Sequence, residues 1–264
     1  IASCLVGSEM CIRDRLGSLV LALFALRSEE KSFDTALNTA SAGAAVFTVT
    51  AGISGFFTFM AAFNPQLSAE REFGEQLGRF LLQLPLGQSW LITTIMGSVI
   101  TVLAFAWRTW TPTLITAILA AASFLPLATQ GHSGELAGHN IAVNSILLHT
   151  IGAAVWLGGL LLVVILRDRS GVGTARLVSR YSSLAIAAFA VVAISGLARS
   201  IVSFGDISQL WTPYGTILLA KVVLLVGMGL LGAWYRIRLI PRLEGAGAAR
   251  WFWMLVLCLS LIHI

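Results

Sequence analysis

The amino-acid sequence predicts an all-α protein, a polytopic bundle of transmembrane helices with about eight spans, of which the first and last are truncated. Hydrophobic residues make up 57% of the chain and charged residues 11%, and the mean hydropathy is +0.88. A typical soluble domain carries about 25% charged residues, so this composition excludes one. Several apolar segments also approach the roughly 20 residues that cross a bilayer. The net charge of +5 comes from arginines in short loops, which indicates topology and not nucleic-acid binding.

Both ends of the chain resemble translated sequencing-adapter read-through. The strings are SEMCIRD at residues 8–14 and LSLIHI at residues 259–264. We therefore expect residues 1–14 and 259–264 to be non-native and the chain to be a fragment of a longer protein. All the cysteines lie in or beside these ends, so we assign no disulfide, thiolate metal site or redox role. If the ends are native, Cys4 and Cys11 become candidate copper ligands.

Apolar segments and the breaks between them predict the spans in order. The first segment has only about fifteen residues and corresponds to a truncated helix. Pro112 is placed for the first turn of the fourth span, and Pro126 predicts a tolerated kink within it. The predicted spans are residues 12–26, 39–63, 89–107, 112–130, 140–166, 181–204 and 214–235, and a truncated eighth begins at Trp251.

The loop over residues 64–88 contains a predicted amphipathic helix. Apolar residues recur in it at helical spacing, opposite a set of charged residues. This pattern is typical of a helix that lies on the membrane surface, and Pro85 is expected to end it. The apolar positions are Leu67, Phe73, Leu77, Phe80, Leu81 and Leu84.

Lys and Arg bias predicts the orientation in a bacterial plasma membrane. The loops over 167–180 and 236–250 each carry four arginines against one acidic residue, so both should be cytoplasmic. Alternation then places the loop with His132 and His139 on the outer side. The connector over 27–38 falls inside although it is slightly acidic.

The residues from 131 to 159 hold the histidines most able to carry chemistry. His149 lies ten residues beyond His139, or about 15 Å deeper if one helix holds both. One face of the predicted fifth span carries Ser145, His149, Gly152 and Trp156. This face should point to the bundle interior or a cavity, because polar groups are costly in lipid. The alternative is a structural histidine satisfied by a neighbouring hydroxyl or carbonyl.

The types of these residues favour a transition metal. Imidazole binds several such ions, and thioether sulfur favours Cu(I). Met60 and Met96 could complete a copper site with His149, although core packing is the commoner role of methionine. His132 and His139 could form a separate copper-capture site on the outer side. His149 is about 15 Å deeper than His139, so two successive copper-binding sites are favoured over one. Their spacing matches no standard zinc pattern, and a solvated loop is the alternative.

Two other ionisable groups fall within predicted spans. Arg199 lies near the outer end of the sixth span and can snorkel to the interface. Lys221 is about 10 Å into the seventh span and either snorkels or pairs with Glu135 or Asp206. A fixed positive charge opposes cation binding, so we do not assign Lys221 as a ligand.

Several motifs together resemble the copper resistance protein D family of bacterial membrane proteins. They include LLHTIGAAVWLGGL within 139–159, YSSLA and then SG within 181–196, TPYGTILLAK at 212–221, and residues 236–243 with Pro241. LPLGQSWL at 84–91 is similar to actinobacterial members. The resemblance covers most of 89–253 and implies copper handling at the cytoplasmic membrane. It also implies that His132, His139, His149 and Trp156 are the positions to test.

The resulting hypothesis is a copper permease or copper-delivery protein that is not an enzyme. We divide it into N-terminal transmembrane helices over 15–130 and a copper resistance protein D-like domain over 131–258. The expected partners are the copper ion, the lipid bilayer, and a copper chaperone or a cytochrome oxidase assembly domain, which often follows this region in actinobacterial relatives. The alternatives are a b-type haem cytochrome and a non-transporting partner in oxidase assembly.

Overall fold

The computed structural model describes residues 15–28, 30–65, 70–129, 139–167, 174–203 and 212–239. All the regular elements in these ranges are helical. A π-helical turn over Tyr235–Leu239 directly follows the last α-helix. The α-helices are α1 (Arg15–Ala25), α2 (Lys31–Phe63), α3 (Arg71–Gln83), α4 (Pro85–Ala106), α5 (Trp110–Ala122), α6 (Leu125–Ala128), α7 (His139–Leu166), α8 (Thr174–Ser203) and α9 (Pro213–Trp234).

Six helical segments in the described part of the chain are long and apolar enough to cross a membrane. The shorter apolar helix α1 corresponds to the predicted truncated first span. These segments confirm the predicted all-α polytopic bundle. The predicted eighth span lies outside the described residues. The six segments are Lys31–Phe63, Pro85–Ala106, Trp110–Ala128, Ile141–Leu166, Ala175–Ile201 and Gly215–Arg238.

Helices α2 and α4 form a close antiparallel pair because small residues line their interface. A Cβ on Gly55 would lie 3.0 Å from the Cβ of Trp90, and one on Gly97 would lie 2.5 Å from the hydroxyl of Thr48. Small residues permit this approach between membrane helices. The pairs also set the register, in which residue 55 is level with residue 90 and residue 48 with residue 97.

Arginines anchor the helices at one end of the bundle, which we call the arginine end. Arg108, which follows α4, donates to Asn38 Oδ1 at 2.7 Å and to the Asp34 carbonyl at 3.1 Å on α2. Arg180 of α8 donates to the Ala25 carbonyl at the end of α1. These bonds join the end of α4 to α2 and the start of α8 to the end of α1.

The predicted surface helix is present as α3, at the opposite end of the bundle. Its Phe73 and Phe80 stack on Phe59 of α2, each with ring centroids 5.6 Å apart. Helix α3 ends at Gln83, and Pro85 occupies the first turn of α4, where its missing N–H costs nothing. The apolar face of α3 thus packs on α2.

Two helices begin earlier than predicted. The expected polar connector over 27–38 is wrong for most of its length, since α2 begins at Lys31. Phe33 and Leu37 in this extension are fully buried, so an amphipathic pattern continues the helix beyond its apolar centre. Helix α8 likewise begins at Thr174 and buries Leu177 and Val178 before the predicted start at residue 181.

The predicted fourth span is broken near its kink. Helix α5 ends at Ala122 and α6 begins at Leu125. Pro126 has no N–H for the carbonyl four residues earlier, which explains an end at Ala122. Ser123 Oγ donates to the Ala120 carbonyl and accepts from buried Arg15 at 2.6 Å, so its hydroxyl satisfies another carbonyl near this helix end.

Candidate metal site

Helices α7 and α8 share the most extensive interface of any described helix pair. Gly152 makes this approach possible, since a Cβ there would lie 3.0 Å from Val192 Cγ2 and 3.2 Å from the Ala188 carbonyl. Nearer the arginine end, the Tyr181 hydroxyl donates to the Trp156 carbonyl at 2.9 Å. The two contacts fix the register of α8 against α7.

This register places His149 of α7 against one turn of α8. Its Nδ1 lies 3.2 Å from the Val192 carbonyl and 3.3 Å from Ser195 Oγ. Gly196 also lies against the imidazole, since a Cβ there would be in ordinary van der Waals contact with Nδ1 at 3.6 Å. The imidazole ring therefore packs against a carbonyl oxygen, a hydroxyl oxygen and a glycine of α8.

The hydrogen bonds from α8 favour one tautomer of His149. A carbonyl oxygen only accepts, so Nδ1 carries the proton that Val192 receives. Ser195 Oγ donates to the Val191 carbonyl at 2.6 Å, which leaves its lone pair facing Nδ1. With Nδ1 protonated, the imidazole lone pair lies on Nε2. A backbone carbonyl on one ring nitrogen is the usual support of a metal-binding histidine.

The predicted polar stripe of α7 faces α8 for most of its length. Ser145 is only 4% exposed, Gly152 is buried, and Trp156 forms an edge-to-face contact with Phe189 at 5.5 Å. His149 differs, because its ring lies at the edge of the interface and is exposed. The prediction of an inward stripe is confirmed for Ser145 and Gly152 and is wrong for the ring of His149, which is exposed at the edge of the helix pair.

A groove of about 340 Å³ between α7 and α8 ends beside His149. Its polar lining comes from Asn144, Ser145 and Ser195, and its other walls are aliphatic side chains of both helices. Ser145 precedes His149 by one helical turn, and Ser195 contacts it. The α7 side of the groove thus runs from Ile141 to Leu148, which precedes His149.

Two of the other predicted ligands, Met60 and Met96, lie on a different helix pair from His149. Met60 and Met96 belong to the α2–α4 pair, whereas α8 supplies the described partners of the imidazole. The α2–α4 register sets Met60 level with Pro85, so Met96 is about 16 Å farther along the helix pair. One ion cannot bind both sulfur atoms. His132 and the side chain of His139 lie outside what the structure describes.

Within the described ranges, no group of three or more His, Cys, Asp or Glu side chains could hold a metal ion. Lys221 is exposed on α9, and its two predicted partners, Glu135 and Asp206, fall outside those ranges. Arg199 is half-buried on α8, consistent with a position near a helix end.

Ser195 and the Val192 carbonyl were not identified by sequence analysis as partners of His149. The only signal for Ser195 is the SG pair at 195–196, which was part of the family resemblance. Backbone carbonyls carry no sequence signal, so Val192 could be found only from the register of the two helices.

Comparison with known proteins assigns both parts of the chain to related families. Residues 175–263 match the family described as Copper resistance protein D, and residues 15–142 match Copper resistance protein D-like, N-terminal domain. The chain is 28% identical over 191 residues to Inner membrane protein YebZ of Escherichia coli, which covers 69% of this chain. It spans 66% of that relative, just under two thirds. No solved structure gives a significant match.

The fold and its apolar helices define a multi-pass membrane protein. The two family matches lie in sequence along this bundle and include α1 to α6, α8 and α9, while residues 143–174, which hold most of α7, lie between them. The chain belongs to the copper resistance protein D family.

Proposed function

We propose that this protein transports or delivers copper across the bacterial cytoplasmic membrane, with the copper ion as its cargo. One observation carries the proposal. His149 stands within a membrane-length helix, and α8 holds its Nδ1 so that the lone pair lies on Nε2. Imidazole nitrogen is a ligand for copper, and the family description names copper resistance.

The depth of His149 supports a functional role. The residue is ten positions from the start of α7, or about 15 Å along the helix, near half the hydrocarbon thickness. Ionisable residues at such depth are costly and mark ion or substrate pathways in membrane proteins. The groove near the ring is largely apolar, and Asn144, Ser145 and Ser195 supply its few polar atoms.

We further propose two successive copper stations. His132 and His139 capture the ion on the outer side, and His149 receives it in the bundle. Because Met60 and Met96 are about 16 Å apart along the α2–α4 pair, each would act separately on a soft Cu(I) ion. Copper is moved without a covalent reaction, so the proposed role is not enzymatic. A copper chaperone or an oxidase assembly domain would deliver or accept the ion.

A haem-binding cytochrome is the main rival, and the facing helix weighs against it. Two axial histidines on facing helices would hold a b-type haem. Opposite His149, α8 presents Val192, Ser195 and Gly196, and its sequence contains no histidine. A non-transporting role in oxidase assembly would instead leave cellular copper unchanged.

Metal analysis and absorption spectroscopy of the purified protein test this proposal. We expect copper to bind and the preparation to show no Soret band, because the site offers one described imidazole and hydroxyl and amide groups. Titration with Cu(I) and with Cu(II) would be followed by equilibrium competition against a chelator. A Soret band that persists through purification, or copper retention no greater than that of an unrelated membrane protein, would contradict the proposal.

Replacement of Ser195 by alanine tests how α8 positions the imidazole. Ser195→Ala removes one of the two oxygens near Nδ1 and is expected to lower copper affinity about tenfold, the lower end for loss of a supporting group. Ser200→Ala is the matched control, since Ser200 donates only to the Gly196 carbonyl in its own helix. Equal affinities of the two variants would show that Ser195 does not position His149.

A further inference from the structure

A cationic polar surface lies where α8 and α9 meet at the arginine end. Arg236, in the π-helical turn after α9, donates to Ser182 Oγ and Ser183 Oγ at 3.2 Å. The arginine is exposed, and so is Ser183.

The charge of this surface has one sign. Residues 174–203 and 212–239 contain no acidic side chain. Arg176, Ser179 and Ser183 are all exposed and share one stripe of α8 at helical spacing, so Arg176 lies two turns from the Arg236 contact. Arg238 adds a further positive charge in the π-helical turn. The described surface therefore favours an anion.

The hydroxyl groups are suited to the same ligand. Each serine oxygen accepts from Arg236 and so keeps its own proton for another acceptor. For Ser183 the intrahelical acceptor is the Ser179 carbonyl at 3.4 Å, a long bond that a closer anionic oxygen would replace. Arginine with neighbouring hydroxyls is a common combination for phosphate.

The position of Arg236 points to a lipid as the source of that phosphate. It follows an apolar helix of 22 residues, about 33 Å long, and thus sits at the depth of lipid headgroups. Trp234 beside it is 49% exposed, as expected for an aromatic residue at the membrane interface. Exposed Leu230 on α9 and Ile186 on α8 offer apolar surface for acyl chains.

We propose that Arg236, Ser182 and Ser183 bind the phosphate of an anionic phospholipid between α8 and α9. Helices α8 and α9 also touch within the span, where a Cβ on Gly229 would lie 2.9 Å from Phe189 Cζ. The bound headgroup joins the two helices at their ends and fixes α9, whose membrane-length segment is otherwise largely exposed. This inference does not depend on copper binding.

Lipid binding by the full chain, purified in detergent, tests the proposal. Native mass spectrometry would measure dissociation constants for short-chain phosphatidylglycerol and phosphatidylcholine, with inorganic phosphate as a competitor. We expect Arg236→Gln to weaken phosphatidylglycerol binding about tenfold and Ser182→Ala/Ser183→Ala about threefold, since charge-assisted bonds exceed neutral ones. Phosphatidylcholine should bind more weakly than phosphatidylglycerol, and the substitutions should change its dissociation constant less.

Arg71→Gln is the matched control, because Arg71 is an exposed arginine at the opposite end of the bundle, paired with Glu75. It should leave phosphatidylglycerol binding unchanged. Equal losses in Arg71→Gln and Arg236→Gln would overturn the proposal, as would equal affinity for the two lipids. Displacement of the lipid by millimolar inorganic phosphate would assign the site to free phosphate instead. If Arg236→Gln fails to fold, Ser182→Ala/Ser183→Ala is compared with Arg71→Gln instead, and equal phosphatidylglycerol binding by these two variants would overturn the proposal.

Discussion

Replacement of Gly152 by valine is expected to separate α7 from α8 and to destabilise the bundle. A single added carbon would already meet Val192 Cγ2 at 3.0 Å and the Ala188 carbonyl at 3.2 Å, and a backbone atom cannot rotate away. Overpacking of this kind costs roughly 1–3 kcal/mol. Thermal unfolding in detergent, together with the amount of protein in membranes, would measure the loss.

Gly227→Val is the control for this change, since no neighbouring atom in the described part of the chain lies within 4 Å of a Cβ at Gly227 on α9, apart from the local backbone of that helix. It introduces the same side chain into a membrane-length helix without a clash. We expect its melting temperature to stay near that of the wild type. Equal melting of Gly152→Val and Gly227→Val would mean that α7 and α8 are not as close as the structure places them.

His149→Ala is expected to lower copper affinity by more than tenfold. Loss of a group that merely supports a ligand typically costs 10–100-fold, and here the nitrogen ligand itself is removed. The fold should persist, because the ring lies at the edge of the interface and is exposed. Competition with a chelator would measure the affinity, and unfolding temperature would show that the variant remains intact.

Thr150→Ala provides the comparison for His149→Ala at the neighbouring position of α7. Thr150 Oγ1 donates to the Ile146 carbonyl within the same helix at 2.8 Å. The substitution Thr150→Ala therefore truncates a polar side chain that has no described role in the site. Its copper affinity should match the wild type. If the alanine variants at 149 and 150 bind copper equally, His149 is a structural histidine.

The main features of the fold could be predicted because apolar length and composition dominate in a membrane. Helix α7 spans His139–Leu166, within one residue of the predicted 140–166, since its apolar run has no competing break. The predicted starts of α2 and α8 are wrong because no uninterrupted apolar run marks them. There the helix continues through mixed sequence, held by buried side chains such as Phe33 and Val178, which hydropathy alone does not reveal.

The candidate site could be predicted only in part. The type and depth of His149 are properties of one helix and can be derived from spacing. Its partners belong to another helix and depend on a register that Gly152 allows. The separation of Met60 from Met96 is likewise a consequence of how α2 packs on α4. Such contacts between helices have no local sequence pattern.

Copper accumulation in cells tests the central claim most directly. The wild type, His149→Ala, Thr150→Ala and His132→Ala/His139→Ala would be expressed at matched membrane levels, and total cellular copper measured by mass spectrometry. We predict that the wild type and Thr150→Ala change cellular copper equally, that His149→Ala abolishes the change, and that the loop variant weakens it at low external copper. If His149→Ala and the loop variant both match the wild type, the histidines are structural and the proposed copper route is wrong.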